Sequence, residues 1–527
     1  MFDDGLTLTG LLERSLAQHS QRPALTDRAG TINHAELAQA IARFSGWLQG
    51  LGLAPGARVA VYLPKQREAV AAMLGAVSAG HVFVPVNPQL KARQVSHILA
   101  DSGAAILVTA KARAELLQET WAALPDLRHL LLVDGGVGAA PCDQGPRRYG
   151  LGAVNGHTPA AALAAKPGML AAILYTSGST GRPKGVMLSH ANLALGARAV
   201  VEYLENTAED RLLALLPLSF DYGLNQLLSG LHAGAHVVLH DYLFAADVVK
   251  AVARHRITGL GCVPPLWRQL ADVDWPQEAA NSLRYITNSG GRMPQALLRR
   301  LRVLFPQARL YLMYGLTEAF RSTYLDPALV DARPDSIGKA IPHAEVLVVR
   351  PDGSLCAAGE PGELVHAGPL VAQGYWRDPE RSRQRFRPAP DFAQFGGMAV
   401  WSGDTVRRDR DGFLYFVGRD DEMIKTLGNR ISPTEVEEAV LASGLASQAV
   451  AVGVDDAKLG QAIAVAAMGS GDSAGLLAYL KTVLPGFMVP QHIFWHQDLP
   501  HNANGKLDRP AIAAAIKHRL GDSEERS

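Results

Sequence analysis

Residues 174–185 read Leu-Tyr-Thr-Ser-Gly-Ser-Thr-Gly-Arg-Pro-Lys-Gly and lie between a hydrophobic segment and a helix whose cap is predicted near Ser189. The segment holds five hydroxyl side chains, three glycines and one lysine. Hydroxyls, backbone N–H groups and a single cation are the groups that surround a polyphosphate, so the segment predicts a phosphate-binding loop after a strand. It is not a Walker A loop, because that motif needs Gly-Lys before Ser or Thr, and Lys184 is followed by Gly185. A flexible Gly/Ser turn is the alternative, although a linker has no need of a lysine there.

The chain before this loop alternates between short β-branched runs and helical stretches. Residues 58–64, 81–87 and 104–109 are the runs, and residues 66–79 form one of the helical stretches. Such alternation is typical of a parallel sheet with helices packed on its faces. Residues 135–168 are rich in Gly, Ala and Pro, and we expect a surface connection there. The α/β pattern then returns at residue 169 and continues to about residue 316.

The sequence pattern changes twice in the second half of the chain. From about Gly338, short alternating runs with Pro-Asp-Gly and Arg-Asp-Gly turns predict a small antiparallel β region. After Arg419, a capping box at residues 432–435 predicts a helix that Gly444 ends, and further strands and a helix complete an α+β unit. The fold class predicted is therefore α/β, with a large N-terminal domain and a small α+β C-terminal domain.

Composition bounds the protein class. The 527 residues carry 51 Lys and Arg against 50 Asp and Glu, a net charge of +1, which lacks the basic excess of a nucleic-acid-binding protein. Three distant cysteines, Cys142, Cys262 and Cys356, predict neither a disulfide framework nor a zinc site. No secretory signal pattern and no apolar run of membrane-spanning length occurs in the sequence. We expect a cytoplasmic protein without a membrane span.

Five further segments carry residue types suited to nucleotide chemistry, and they follow the loop along the chain. They are Asn-Ser-Gly-Gly-Arg at 288–292, Tyr-Gly-Leu-Thr-Glu at 314–318, Trp-Ser-Gly-Asp at 401–404 and Gly-Arg-Asp-Asp-Glu-Met-Ile-Lys at 418–425, with Asn-Gly-Lys at 504–506 near the end. Each alone is also compatible with an ordinary turn or cap. Together they resemble the adenylate-forming superfamily, which comprises AMP-forming acyl-CoA synthetases, nonribosomal peptide synthetase adenylation domains and luciferases.

The resemblance implies a site residue by residue. It implies that residues 288–292 form the loop on the adenine side and that Tyr314 stacks on adenine. It also implies that Thr317 contacts phosphate, Glu318 binds Mg²⁺ and Asp404 holds the ribose hydroxyls. Lys506 is implied as the C-terminal catalytic lysine, with Lys184, Thr317 and Glu318 as the other catalytic residues. The residues implied in ATP binding are Thr176, Ser177, Gly178, Ser179, Thr180, Gly181, Lys184, Gly290, Gly291, Arg292, Tyr314, Gly315, Thr317, Asp404, Arg419 and Lys506. The implied cofactors are ATP and Mg²⁺, with CoA or the phosphopantetheine of a carrier protein as the thiol acceptor.

The implied reaction agrees with the charges of these residues. A carboxylate attacks the α-phosphorus of ATP, and the two anions repel each other until cations screen them. Lys506 bridging the carboxylate and the α-phosphate, and Lys184 beside the departing pyrophosphate, supply that screening. The resemblance also implies that the thiol then attacks the acyl carbon of the adenylate and AMP leaves, after the C-terminal domain, residues 420–527, rotates about Asp421 relative to residues 1–419. Gly428 is implied to lie beside the thiol channel, or else to be a plain turn glycine.

The sequence leaves the acid and the acceptor open. Asp221 follows Phe220 where amino-acid-activating relatives have an aspartate for the substrate ammonium, but it is equally placed to cap a helix beginning at Tyr222. Residues 319–325 also resemble ligases associated with exosortase systems, which implies no substrate. Two stretches are basic, residues 299–302 and 381–387. Their composition is compatible with contacts to CoA phosphates, contacts to an acidic carrier protein or plain exposure to solvent. A free-standing enzyme loading a separate carrier protein, and a silent nucleotide-binding regulator, are the alternative functions.

Overall fold

The computed structural model describes residues 6–135, 145–176, 183–419, 422, 424–426, 429–456, 459–469, 471–484 and 486–524. The strands in these ranges are β1 Pro23–Asp27, β2 Gly30–Asn33, β3 Arg58–Tyr62, β4 Val82–Pro85, β5 Ala104–Thr109, β6 His129–Leu132, β7 Arg147–Gly150, β8 Leu170–Thr176, β9 Lys184–Ser189, β10 Arg211–Ala214, β11 His236–Leu239, β12 Gly259–Cys262, β13 Tyr285–Asn288, β14 Arg309–Tyr314, β15 Thr323–Leu325, β16 Ser336–Ala340, β17 Glu345–Val349, β18 Pro361–Ala367, β19 Phe386–Pro388, β20 Met398–Arg408, β21 Leu414–Arg419, β22 Ile424–Thr426, β23 Asn429–Ile431, β24 Ala446–Asp456, β25 Gly460–Gly469 and β26 His492–His496.

The α-helices in the same ranges are α1 Leu8–Gln18, α2 His34–Gly50, α3 Arg67–Ser78, α4 Ala92–Ser102, α5 Lys111–Glu115, α6 Leu151–Asn155, α7 His190–Leu204, α8 Asp221–His232, α9 Ala245–His255, α10 Pro264–Ala271, α11 Gln277–Ser282, α12 Gln295–Leu304, α13 Pro379–Arg385, α14 Pro433–Ala442, α15 Ser473–Val483 and α16 Arg509–Glu524. None of the helices in the described ranges is both long and apolar enough to cross a membrane.

The first sheet has the strand order β7-β6-β5-β3-β4-β8-β9. Its strands are parallel apart from β9, which pairs antiparallel with β8. β4 and β5 are buried along their whole length, as expected of parallel strands covered by helices on both faces. The three β-branched runs predicted as parallel strands are confirmed as β3, β4 and β5. Residues 177–182 of the predicted phosphate loop lie outside the described residues, between β8 and β9.

Two local predictions near this sheet need correction. The Gly- and Ala-rich stretch at 135–168 is more than a surface connection, because its described part contains β7, which extends the parallel sheet, and α6. The predicted cap at Ser189 is confirmed, since its hydroxyl accepts a hydrogen bond from the Asn192 N–H at 3.1 Å. However, a strand that was not predicted, β9, lies between the loop and the helix. Its Val186 and Leu188 are fully buried.

The second sheet joins a parallel half to an antiparallel half. Its order is β17-β18-β20-β21-β16-β15-β14-β13-β12-β10-β11-β1-β2, with β19 paired to β20. The strands from β1 and β11 through β14 are parallel, and antiparallel pairing starts at β15 and continues through β21. The predicted antiparallel region is therefore present, but it begins at Thr323 and continues the α/β sheet. The first two sheets share one large apolar core.

The C-terminal elements, from β22 to α16, form a smaller α+β arrangement with the strand order β23-β22-β25-β24 and β26 beside β25. Apolar cores on the two faces of this sheet include Val436 and Val465 on one side and Val450 and Ile512 on the other. α14 begins at the predicted Pro433, but Ser432 makes no capping bond, because its hydroxyl donates to the Val417 carbonyl instead. The predicted α/β class with a smaller C-terminal domain is confirmed.

Candidate active site

The candidate site lies at the carboxyl ends of β8, β13 and β14. Thr176 ends β8, and its buried hydroxyl has no hydrogen-bond partner among the described residues. Asn288 ends β13, and its side-chain amide donates to the Gly291 carbonyl at 3.0 Å, which shapes the next loop. Tyr314 ends β14. The carboxyl edge of such a sheet is the usual place for a ligand.

A first cluster joins β14 to the hairpin of β20 and β21. Asp404 and Arg419 are directly paired across these strands, with Asp404 Oδ1 3.4 Å from Arg419 Nε. The Tyr314 hydroxyl donates a hydrogen bond to the Asp404 carboxylate. Burial raises the pKa of Asp404, and the Arg419 charge opposes that rise. The structure thus brings together Tyr314 and Asp404, which the resemblance assigns to adenine and ribose, with Arg419, which it assigns to ATP binding.

A second cluster joins the start of β9 to the turn after β14. Lys184 Nζ donates to Glu318 Oε1 at 3.1 Å and to Tyr375 Oη at 2.7 Å, and the Tyr375 hydroxyl donates to the same Glu318 oxygen at 2.6 Å. Thr317 opens the short 3₁₀ turn that presents Glu318. Burial alone would raise the pKa of Glu318, but Lys184 and Tyr375 hold it below its usual value. Glu318 is therefore kept ionised, as a cation ligand must be.

Lys506 reaches this cleft from the C-terminal elements. Its ammonium lies 4.9 Å from the centre of the Phe220 ring, and a Cβ atom on Gly290 would come within 2.7 Å of its Cε. Gly290 has φ +80° and no side chain, so it permits this approach. Enclosure lowers the pKa of Lys506, and the Asp221 charge opposes that shift.

The loop that carries Lys506 is docked on the larger part of the chain. The Asn87 side-chain amide donates to the Ala503 carbonyl at 2.8 Å, and Asn502 Oδ1 accepts the Lys506 backbone N–H at 3.1 Å. Arg292, predicted to be on the adenine side, forms ion pairs with Asp335 and with Glu438 of α14. These contacts hold the lysine inside the cleft.

Asp221 lies at the start of α8, close to the charge of Lys506. α8 begins at Asp221, with Phe220 in the cap position, so the helix starts one residue earlier than the capping hypothesis requires. Asp221 Oδ2 lies 3.7 Å from Arg321 Nη1, and the two side chains are 5% and 3% exposed. Burial raises the pKa of Asp221, against the charges of Arg321 and Lys506. Asp221 thus faces two cations in one buried cluster.

Some predicted residues lie outside the described residues, and some site residues were not predicted. Those outside are Ser177, Gly178, Ser179, Thr180, Gly181, Asp421 and Gly428. Three residues that sequence analysis missed are Tyr375, Arg321 and Arg385. Arg385 belongs to the basic stretch at 381–387, yet it is enclosed, donates to the Trp401 carbonyl at 3.0 Å and interacts with the Glu318 charge. For Arg321 the only signal was its position three residues after the Thr-Glu motif.

The residues present fit Mg·ATP. Mg²⁺ in nucleotide sites takes one or two carboxylates together with phosphate oxygens and water, so the ionised Glu318 is an adequate protein ligand. The described residues contain no cluster of three acidic, histidine or cysteine groups that would hold a metal without a nucleotide. Lys184 lies beside Glu318, and Tyr314 offers an aromatic face next to Asp404. A bound nucleotide would therefore complete the metal site.

Comparison with known proteins gives matches over nearly the whole chain. The family described as AMP-binding enzyme matches residues 12–376, and its C-terminal domain matches residues 435–506. L-proline--[L-prolyl-carrier protein] ligase of Pseudomonas fluorescens is 33% identical over 514 residues, covering 95% of this chain and 98% of that protein. Feruloyl-CoA synthase of an Amycolatopsis species is 32% identical over 518 residues, covering 96% and 97%. The structure of o-succinylbenzoate CoA synthetase from Bacillus subtilis with ATP and magnesium has a TM-score of 0.80 and 25% identity, covering 95% of this chain and 98% of that one.

Proposed function

Since this chain belongs to the AMP-binding enzyme family and is an AMP-forming acid–thiol ligase, we propose that Lys506, Lys184 and Glu318 form its adenylation centre, with Asp221 on the acid side. The observation that supports this proposal is the position of Lys506. It lies between the loop after β13, assigned to adenine, and Asp221. An acid carboxylate bound there meets the α-phosphate of ATP beside the lysine ammonium.

Each charged residue has a separate task in the proposed reaction. Lys506 screens the repulsion between the substrate carboxylate and the α-phosphate as the new P–O bond forms. Lys184 stabilises the charge that develops on the departing pyrophosphate, and Thr317 donates to phosphate. Asp404 accepts hydrogen bonds from the ribose hydroxyls, and Arg419 lies beside it. Mg²⁺, held by Glu318 and the phosphates, would neutralise further negative charge when bound. Preorganised charges of this kind lower the barrier because they need no reorientation in the transition state.

The second half-reaction requires a different arrangement of the same chain. We assign residues 1–419 to the domain that binds ATP and the acid, and residues 420–527 to a mobile lid with its hinge at about Asp421. Rotation of the lid withdraws Lys506 and brings Gly428 beside the channel for the thiol. The acceptor is CoA or a phosphopantetheinyl carrier protein, since relatives of both kinds match this chain. CoA and carrier proteins are found in the cytoplasm, where we place the enzyme.

An amino-acid substrate is the second candidate, and one observation favours it. Asp221 is 4% exposed and lies in the acid side of the cleft, where a substrate ammonium would gain a charged partner shielded from water. A relative that is 33% identical to this chain is named for proline and a prolyl carrier protein. However, Asp221 already has a charged partner, because its Oδ2 lies 3.7 Å from Arg321 Nη1. We therefore expect matched amino and deamino acids to separate the two candidates.

The experiment is ATP–pyrophosphate exchange with a panel of matched amino and deamino acids. Lys506→Ala is expected to lower exchange by about 100- to 1000-fold, as for removal of a transition-state charge partner, with an unchanged melting temperature. Lys517→Ala, at an exposed position of α16, is the control. ATP binding without exchange for any acid would overturn the proposed function in favour of a silent regulator. Adding CoA or a phosphopantetheinylated carrier protein then identifies the acceptor.

A further inference from the structure

Arg385, the last residue of α13, lies against the strand that carries Asp404. Its Nη1 donates a hydrogen bond to the Trp401 carbonyl at 3.0 Å. A Cβ atom on Gly403 would come within 2.5 Å of the same nitrogen, so the missing side chain leaves room for the guanidinium. Arg385 thus contacts β20, the strand of the first cluster, directly.

The end of α13 is also fixed against Tyr375 of the second cluster. The Ser382 hydroxyl accepts the Tyr375 backbone N–H at 2.8 Å, and the rings of Phe386 and Tyr375 pack edge to face with their centres 5.4 Å apart. Arg385 lies between these two anchors along the chain, and its guanidinium interacts with the Tyr375 hydroxyl and with the Glu318 charge. The same side chain therefore interacts with both clusters.

Arg385 brings a second positive charge to the surroundings of Glu318. Lys184 already forms a direct ion pair with this carboxylate at 3.1 Å. Arg385 interacts with the same charge at longer range, and none of the described carboxylates forms a direct ion pair with it. Burial alone would lower the pKa of Arg385, but Glu318 and Tyr375 hold that pKa above its usual value, so the guanidinium is fully charged. Two enclosed cations beside one carboxylate leave a positive charge that favours the binding of an anion.

The position of Arg385 matches that of a phosphate chain in the proposed nucleotide site. With the ribose at Asp404 and the metal at Glu318, the phosphates of ATP lie between these two carboxylates. Arg385 interacts with the charges of both. A guanidinium can donate two parallel N–H bonds to one phosphate group, which gives a stronger and more directional contact than the point charge of an ammonium.

We propose that Arg385 is a phosphate-binding residue of the nucleotide site, which donates hydrogen bonds to the phosphate chain of ATP from the end of α13. Lys184 contacts the phosphates from the start of β9, so the chain lies between two cations from distant parts of the sequence. The inference rests on the proposed function, because it assumes that ATP binds between Glu318 and Asp404. It separates Arg385 from Arg383, which is exposed on the same helix.

The test measures the dissociation constants of Mg·ATP and of adenosine with no acid present, so that no turnover occurs. Arg385→Met keeps a long side chain but removes the charge. It is expected to raise the dissociation constant of Mg·ATP by about 10- to 100-fold, and to change that of adenosine by less than about twofold. Arg385→Lys should lose less affinity for Mg·ATP, because an ammonium keeps the charge without the paired donors. Arg383→Met is the matched control and should bind both ligands as the wild type does.

The comparison of the two ligands distinguishes phosphate binding from a purely structural role. If Arg385→Met weakens the binding of Mg·ATP and adenosine equally, Arg385 only supports the strand at residues 401–404 and the inference is refuted. An unchanged dissociation constant for Mg·ATP also refutes it, while leaving the proposed function intact. A wild type that binds no Mg·ATP refutes the proposed function and this inference with it. Melting curves show whether each variant is folded, and if Arg385→Met unfolds, a loss of affinity in Arg385→Lys that is confined to Mg·ATP decides the question.

Discussion

At the scale of single residues, Tyr375 connects the two charged groups beside the predicted phosphate loop. Its hydroxyl accepts from Lys184 Nζ at 2.7 Å and donates to Glu318 Oε1 at 2.6 Å. Burial and the neighbouring carboxylate raise the pKa of Tyr375, so it remains protonated and keeps donating. Tyr375 is therefore a positioning residue, which fixes the carboxylate proposed to hold the metal.

We expect Tyr375→Phe to raise the KM for Mg·ATP and to lower kcat/KM in pyrophosphate exchange by about tenfold. The reason is the loss of one hydrogen bond to a charged group, which contributes about 1.5–3 kcal/mol. Titration of exchange with Mg²⁺ at fixed ATP measures the effect, and Tyr479→Phe in α15 is the control. An unchanged Mg²⁺ dependence would show that Lys184 alone positions Glu318.

The sequence allowed prediction of the residues that lie in contiguous motifs, and it missed those that enter the site by long-range packing. Lys184, Glu318, Asp404 and Lys506 come from such motifs, although the roles assigned to them remain predictions. Tyr375 belongs to no motif. It contacts Glu318 only in the folded protein, where β9 and the turn at residues 317–319 lie close together. Such a contact depends on the fold and leaves no local pattern.

At the scale of elements, the start of α8 sets the position of Asp221, which we propose to lie on the acid side of the cleft. Gly223 lies in its first turn, where a Cβ atom would come within 2.3 Å of the Pro217 carbonyl oxygen and 2.9 Å of the Leu216 carbonyl oxygen. These are backbone atoms, which cannot rotate away as a side chain would. The close approach fixes Asp221, two residues earlier, against the loop.

We expect Gly223→Ala to destabilise the protein by about 1–3 kcal/mol, through overpacking, although alanine normally favours a helix over glycine. The shifted helix start should also raise the KM for the acid more than the KM for ATP. Thermal melting and exchange kinetics measure the two effects. Gly50→Ala in α2 is the control, because a Cβ there meets only the exposed His157 ring. Equal changes in both KM values would argue against a local shift of α8.

Strands were predicted correctly where the apolar runs were continuous. The prediction failed where the local sequence pattern was weak and contacts with distant residues decided the structure. The buried runs of β4 and β5 were recognised from β-branched residues alone. β7 was missed, because its Arg147-Arg148-Tyr149-Gly150 sequence lacks strand character and pairs with β6 only at the sheet edge. Ser432 likewise matches a capping box, but its hydroxyl donates a hydrogen bond to the nearby Val417 carbonyl instead.

At the scale of the whole molecule, buried neutral histidines make stability depend on pH. His34, His190, His236 and His366 have pKa values lowered to about 4, chiefly because burial disfavours the charged imidazole. Between pH 6.5 and about 4 the unfolded chain therefore binds more protons than the folded protein. The free energy of unfolding should fall as the pH falls through this window, by at most about 1.4 kcal/mol per pH unit for each histidine.

We expect His366→Gln to make the pH dependence of the free energy of unfolding shallower, by up to the contribution of one histidine. His366 is fully buried, and within the described ranges only its Nδ1 has a hydrogen-bond partner, the Ser322 hydroxyl at 3.0 Å. Denaturant unfolding of the variant and the wild type at several pH values from 7.5 to 5 provides the comparison. His157→Gln, at an exposed position, should keep the wild-type slope. If His366→Gln keeps that slope as well, His366 does not contribute to the acid sensitivity.

The proposed rotation of residues 420–527 gives the chain one arrangement for each half-reaction, and opposite variants should separate the two. In the structure described here the Lys506 loop is docked, with Asn87 donating to Ala503 at 2.8 Å. Asn87→Ala removes that bond and should lower pyrophosphate exchange by about fivefold, while thioester formation from a supplied acyl-adenylate is unchanged. Asn155→Ala, at an exposed position of α6, is its control.

Gly428→Leu should have the reverse effect, because a leucine side chain would fill the proposed thiol channel that only the second half-reaction uses. Exchange should persist, and thioester formation should fall by at least about 100-fold. The two half-reactions are measured separately, by exchange and by mass-resolved thioester product. A crossed pattern, in which each variant impairs only its own half-reaction, requires that Lys506 and the Gly428 segment act at different times. If Gly428→Leu lowers both half-reactions equally, a single arrangement serves both and the hinge at Asp421 has no catalytic role.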